Sequence, residues 1–178
     1  MGAGGGWSNV LFVTPTPVWR PTARILVADA DGRVLLFSAT EPAGARWSFT
    51  PGGGIHRGET LAAAATRELK EETGYACTEA ELGPVVATTA GQWRSEEEDK
   101  LFLGAHSFFF LRAPHPELNT DGQEDLERSM ITGHRWWTVP DLRTATERVW
   151  PAAPDLADLL ERLLRGDIPA RPVRLPRR

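Results

Sequence analysis

The segment from Pro51 to Gly74 constrains what this chain can fold into more than any other stretch. Pro51-Gly52-Gly53-Gly54 halts regular structure, since proline has no amide donor and glycine reaches backbone angles closed to other residues. A loop ending near Glu59 then leads into a run, Thr60 to Thr73, that reads as a helix from both ends. Thr60 suits the N-cap, although Ala63 three positions on leaves the capping box incomplete. Ala62 to Ala65 favour helix. Gly74 stands where a helix closes on a left-handed residue. Leu61, Ala65 and Leu69 make an apolar stripe to fix the helix on a sheet, and Ala64, one turn before Glu68, is expected to leave space for a ligand.

The same helix carries a cluster of charge. Glu68, Glu71 and Glu72 stand at i, i+3 and i+4, within one arc of roughly 100°. Like charges so placed repel by ~0.2–0.5 kcal/mol per pair on an exposed helix. A cation among them reverses the sign, and carboxylate oxygens suit a hard ion such as Mg²⁺ or Mn²⁺. Arg67 is adjacent and can pair with a glutamate to hold its orientation. Three glutamates alone are more often a solvated helix face, and a glycine run alone is more often a turn. The short distance from Gly52, Gly53 and Gly54 to the carboxylate helix, with Glu59 between, tips the balance towards a site where backbone approaches a ligand closely.

The rest of the chain supplies a scaffold. With 178 residues, 41% hydrophobic and 25% charged, it fits one globular α/β domain of mixed sheet with flanking helices. Residues 1–22, rich in Gly, Pro and Thr, read as a flexible N-terminal arm, 23–166 as the folded domain, and 167–178 as an extended Pro- and Arg-rich tail. Ile25–Ala28 and Val34–Phe37 form a hairpin about Asp29–Arg33. Further strands are expected at Trp47–Thr50, Val85–Thr89, Ser107–Leu111 and around His134–Thr138, with an acidic loop at Ser95–Lys100 and a long polar connection at 113–128. A last helix, Leu156–Leu164, should dock on the sheet. The net charge of −4 gives no footprint for nucleic acid or an anionic membrane, so neither is expected as a partner. Cys77 is the one cysteine, which excludes an intrachain disulfide and a Cys-based zinc site. No signal peptide or bilayer-length apolar stretch is legible, so a cytoplasmic protein is expected.

Gly53, five residues, Glu59, seven residues, then Arg67-Glu68-Leu69-Lys70-Glu71-Glu72-Thr73-Gly74-Tyr75 resembles the Nudix box of the bacterial, MutT-like Nudix hydrolases. The match holds at every polar and glycine position; Tyr75 stands where an aliphatic residue is usual. The resemblance implies the Nudix α/β/α sandwich, with a mixed β-sheet and the box as a loop–helix–loop catalytic motif. It implies Mg²⁺, with Mn²⁺ as a substitute, held by Glu68, Glu71, Glu72 and the Gly52 backbone carbonyl. Arg67 would orient Glu68, and Glu59 would support the site by pairing or through water. The implied reaction is hydrolysis of a pyrophosphate bond in a nucleoside di- or triphosphate derivative, releasing a nucleoside monophosphate or its equivalent.

The general base stays open between Glu68 or Glu72 and a later acid such as Glu124, Glu127 or Glu96–Glu98; Glu127 is favoured as an auxiliary ligand or base. Trp93 and Arg94 are candidates to stack on a base and touch a phosphate, with packing as the plainer role for Trp93. His56 and His134 read as surface or supporting groups, and one of Trp136 and Trp137 as core. The family marks some subclasses by a proline or a tyrosine downstream of the box; Ala90-Gly91-Gln92-Trp93 matches neither. The partner expected is a small nucleotide or nucleotide conjugate, and a homodimer is an assembly common in the family. Two rivals are a nucleotide sensor without catalysis, which tends to lose box glutamates, and a Nudix-fold isomerase, for which Cys77 stands in the wrong context.

Overall fold

The structure is a computed structural model describing residues 16–41, 43–95, 99–113 and 117–176, with the backbone alone described at 93–95 and 126. Strand β1 (Val18–Ala28) runs through the centre. Ala23, Ile25 and Val27 face one core while Leu26 and Ala28 face another, so the period of two along a strand feeds both. Burial on both faces is why this run reads as continuously apolar rather than alternating. The expected hairpin joins β1 to β2 (Val34–Thr40), its turn closed by the Arg33 amide donating to Asp29 Oδ1 at 2.8 Å.

The other strands are β3 (Arg46–Phe49), β4 (Ala87–Ser95), β5 (Lys100–Arg112), β6 (Ile131–Trp137), β7 (Arg148–Trp150) and β8 (Val173–Arg174). They form one mixed sheet in the order β7-β3-β2-β1-β5-β4-β8, with β6 also on β2. β1 with β5, β3 with β7 and β4 with β8 are parallel, and the remaining pairs antiparallel. The sheet curls at β2: β1 meets it at Ala28↔Val34, whereas β6 follows it from Val34 and β3 joins from Phe37.

Helix α1 (Leu61–Thr73) covers one face, packing Ala64, Ala65 and Leu69 on Ile25, Val27, Leu35 and Phe109. Helix α5 (Ala153–Leu164) covers the other with Leu156, Leu160 and Leu163 against Leu26, Leu36 and Phe108. The layering is the α/β/α sandwich expected, each buried leucine contributing ~1.5–3 kcal/mol. Trp137 is core and Trp136 is half-buried on the opposite face. Short helices α2 (Glu79–Leu82), α3 (Asp125–Met130) and α4 (Val139–Arg143) fill connections; α2 and α4 start with capping boxes at Thr78/Glu81 and Thr138/Asp141. Among the described residues no helix is long and apolar enough to cross a membrane.

Some expectations change. Residues 18–22, expected in a loose arm, are the first part of β1 and pair with β5 from Val18↔Phe102 onward. A ladder to a long neighbouring strand overrides their Pro- and Thr-rich composition; residues 1–15 lie outside the described ones. The tail is tied down where Val173 and Arg174 pair with β4, and Leu175 is buried. β4 and β5 pair as far as Ser95↔Lys100, so both ends of the expected acidic loop are strand, and its Glu96–Glu98 lie outside the described residues. Ala64 is not open to a ligand but fully buried under the sheet.

Candidate metal centre

Helix α1 is set in place by its ends and its apolar stripe. Thr60 Oγ1 accepts from the Ala63 amide at 3.0 Å, and Gly74, at φ 77°, donates its N–H to the Lys70 carbonyl. Each device holds a terminus that would otherwise fray, the cap alone being worth ~1 kcal/mol. With Ala65 and Leu69 against the sheet, Glu68 and Glu72 are carried inward and are only 5% and 2% exposed. Glu71, further round, stays at the rim with its side chain 37% exposed. The arc of three glutamates seen in the sequence is therefore split by what the helix packs on.

The glycine loop forms the other wall. It is laid along β1 by the Ala23 amide donating to Gly53 O and the Ile25 amide to Pro51 O, both at 3.0 Å. The Gly52 amide donates to Glu72 Oε2 at 2.5 Å. Gly52 needs its φ of 120°, and a Cβ there would sit 2.8 Å from Arg24 Cα. A Cβ on Gly53 would sit 2.5 Å from Glu68 Oε1. The absence of side chains is thus what lets this backbone touch both buried carboxylates.

Arg67 binds the outer shell together. Its Nε and Nη2 donate to the two oxygens of Glu59 at 3.0 and 3.1 Å, a bidentate fork. Its Nη1 reaches Glu68 Oε1 at 2.8 Å and Glu71 Oε2 at 3.0 Å, and Nη2 also reaches Gly54 O at 2.9 Å. Glu59 takes the His56 amide as well, at 2.9 Å. The Arg67 hydrogen bonds and then the His56 amide hold the Glu59 carboxyl down at about 2, and pairing with Glu59 raises the Arg67 guanidinium.

Glu68 and Glu72 meet a third carboxylate, Glu127 from α3; one oxygen from each lies within 4.8 Å of the others. Burial pushes Glu72 up to about 8, against the attraction of Arg24 and the Gly52 amide. Burial also raises Glu68, against Arg67. Arg24, whose Nη1 donates to Thr50 O at 3.1 Å, is depressed by its own burial while Glu72, Glu68 and Glu127 oppose that. Three carboxylates gathered in a poorly solvated place disfavour their own ionised forms unless a cation joins them. All-oxygen donors of this kind fit a hard divalent ion.

Glu68 and Glu127 line a cleft of about 390 Å³ whose other lining includes Gly53, His56 and Glu124, and Glu72 is buried beside them without lining it. A larger groove of about 640 Å³ on the far flank of α1 holds Lys70 and Glu71 but neither Glu68 nor Glu72. Of the residues singled out in the sequence, Glu59, Arg67, Glu68, Glu72 and Glu127 come together here. Gly52 enters through its amide, and Glu71 is turned to Arg67. Trp93 and Arg94 lie in β4 with side chains outside the described residues. His56 is exposed at the cleft, and His134 is exposed on β6. Sequence reasoning passed over Arg24, although a lone arginine beside the apolar run Ile25–Ala28 was a signal.

This site on this sandwich defines a class. The NUDIX domain family matches residues 18–163, so the chain belongs to the Nudix family. Within that class it is similar to the RNA pyrophosphohydrolase of Roseobacter denitrificans, 32% identical over 122 residues, covering 57% of this chain and 73% of that protein. The RNA pyrophosphohydrolase of Sphingopyxis alaskensis is 43% identical over 56 residues, of which this chain spans 35% of the relative's length. The fold is shared with the MutT protein from Methanosarcina mazei, at a TM-score of 0.59 and 18% identity, covering 86% of this chain and 99% of that one.

Proposed function

We propose that the protein hydrolyses a pyrophosphate bond in a nucleoside di- or triphosphate derivative with the help of Mg²⁺, for which Mn²⁺ can substitute, releasing a nucleoside monophosphate or its equivalent. The observation that carries this reading is the trio of buried Glu68 and Glu72 with half-buried Glu127, whose oxygens converge within 4.8 Å beside the cleft that Glu68 and Glu127 line. Glu68, Glu72 and Glu127 would hold the cation, with Glu71 joining if it leaves Arg67 and the Gly52 carbonyl as a further ligand. A divalent ion bound there neutralises the charge of the diphosphate and polarises phosphorus.

The chain's own residues do the rest by position and charge. Arg67 fixes Glu68 and, through Glu59 and Gly54 O, ties α1 to the loop that faces the substrate. Gly52 fixes Glu72. Glu127, coming from a separate element, would serve either as an auxiliary ligand or, left free of the ion, as the base that takes the proton of the attacking water as the new P–O bond forms and the bridging P–O bond breaks. Catalysis in this sense is an arrangement of glutamates that only the metal-loaded state relaxes. On this reading the enzyme works in the cytoplasm, in keeping with its single cysteine.

The relatives named RNA pyrophosphohydrolase favour a second reading, in which the nucleotide is the 5′ end of an RNA. The net charge of −4 speaks against a long backbone track beyond that end. The experiment is a Mg²⁺-dependent screen of nucleotides, nucleotide conjugates and a 5′-triphosphorylated oligonucleotide, with products read by mass. Release of nucleoside monophosphate or a 5′-monophosphate end supports the reading. Binding without turnover anywhere on the panel would leave a nucleotide sensor instead.

A further inference from the structure

The first residues of β1 have a consequence for what the cleft can hold. Trp19 is 59% exposed, an outlier for the largest apolar side chain in a chain whose other described tryptophans are partly or fully covered. It is not idle surface, because it lines the same cleft as Glu68 and Glu127. Alternation along β1 puts Trp19, Pro21 and Ala23 on the face of the sheet that α1 covers, the helix that carries Glu68 and Glu72. The glycine loop runs antiparallel beside this stretch, bridged at Thr22↔Gly54 and bonded at Ala23 to Gly53. The cleft is thus a slot with Trp19 and Pro21 on one wall and Ile55 and His56 on the other.

The slot is polarised end to end. At one end Gly53 abuts the Glu68 carboxylate, and Ala23 marks that level on β1. Trp19 is four residues along the strand, about 13 Å at the rise of a β-strand. That is roughly the reach of an extended nucleoside triphosphate from its phosphate terminus to its ring. The carboxylate end suits phosphates through a cation, whereas an exposed indole suits a planar aromatic face. We propose that Trp19 is the stacking platform for the nucleobase, or the equivalent flat ring, of the substrate whose phosphates lie at Glu68, Glu72 and Glu127. The inference rests on the hydrolase reading for the phosphate end and adds the ring end. It also gives the residues expected in an arm a part in specificity.

Trp19→Ala and Trp19→Phe test this, read by calorimetric binding and by turnover with Mg²⁺ on ATP and GTP, with inorganic tripolyphosphate as the probe that lacks a ring. Exposure of Trp19 means that neither substitution removes core. Trp19→Ala should raise Kd and KM for the nucleotides about tenfold with little change in kcat. Trp19→Phe should restore most of the loss, and binding of tripolyphosphate should not move. Unchanged nucleotide affinity in Trp19→Ala overturns the proposal, as does an equal loss for tripolyphosphate, or no nucleotide binding by the wild type. A change in oligomeric state on sedimentation of Trp19→Ala also overturns it, since the indole would then be a subunit contact. Nucleotide binding that depends on Trp19 without turnover would sink the hydrolase reading and keep this one. Turnover indifferent to Trp19 would do the reverse.

Discussion

Replacing Glu72 by Gln should stabilise the metal-free protein, and by an amount that grows with pH. Burial raises the Glu72 carboxyl from the ordinary 4.5 to about 8, so the folded state keeps a proton that the unfolded chain releases. A raised folded value means that this group's stability is full below pH 4.5 and is lost as pH climbs towards 8. The loss runs at about 1.4 kcal/mol per pH unit within that window. Glutamine has the same shape, can still accept the Gly52 N–H through its amide oxygen, and does not ionise in either state. The advantage of Glu72→Gln over wild type should be roughly 1 kcal/mol at pH 5 and roughly 4 kcal/mol at pH 7.5, their difference being free of any fixed offset between the two side chains. Urea unfolding of both proteins in excess chelator, at several pH values between 5 and 8, reads this directly. Saturating Mg²⁺ should reverse the order, because only the carboxylate gains from the ion. Parallel stability curves for the two proteins across that pH range in chelator would refute the reasoning, since they would mean that Glu72 is not held protonated by burial.

Related outcomes are expected elsewhere in the site. Mg²⁺ affinity should rise with pH through the region near 8, with protons released on binding, because the ion takes the deprotonated form of Glu72; calorimetry in buffers of different ionisation heat measures the protons. Gly53→Ala should leave the fold intact by circular dichroism while lowering kcat and Mg²⁺ affinity at least tenfold, since its Cβ falls 2.5 Å from Glu68 Oε1 and displaces that side chain. Arg67→Lys should lose turnover by about a hundredfold, because a point charge cannot replace a fork that grips Glu59, Glu68 and Glu71 together; full activity would deny Arg67 its positioning role. Gly74→Ala should lower stability by about 1–2 kcal/mol in urea, as the residue takes φ 77° and its Cβ would meet Asn119 Cβ at 2.7 Å.

The sequence by itself determined the glutamate-bearing helix: Thr60 and Gly74 mark its ends, its apolar stripe names its docking face, and the interval from Gly53 through Glu59 to Arg67 picks out the carboxylates that face the glycine loop. These are local quantities, fixed by helical pitch and by the few residue types that tolerate a cap or a positive φ, and so they can be read in order along the chain. The β1–β2 hairpin and the docking of α5 were legible for the same reason, whereas the burial of β1 on both faces appears only in the packed structure. What tertiary structure decided is everything that depends on a neighbour distant in sequence. Residues 18–22 became strand because β5 was there to pair with them, and Trp19 came to the cleft with them. Glu68 and Glu72 were separated from Glu71 by the wall that α1 packs on, which moved one of them to a proton affinity near neutrality. Glu127 joined them from α3, and Arg24 stood behind them from β1, although nothing in the spacing of residues 24, 68, 72 and 127 announces that they meet. Burial and long-range electrostatics are properties of the packed chain, and no local pattern encodes them.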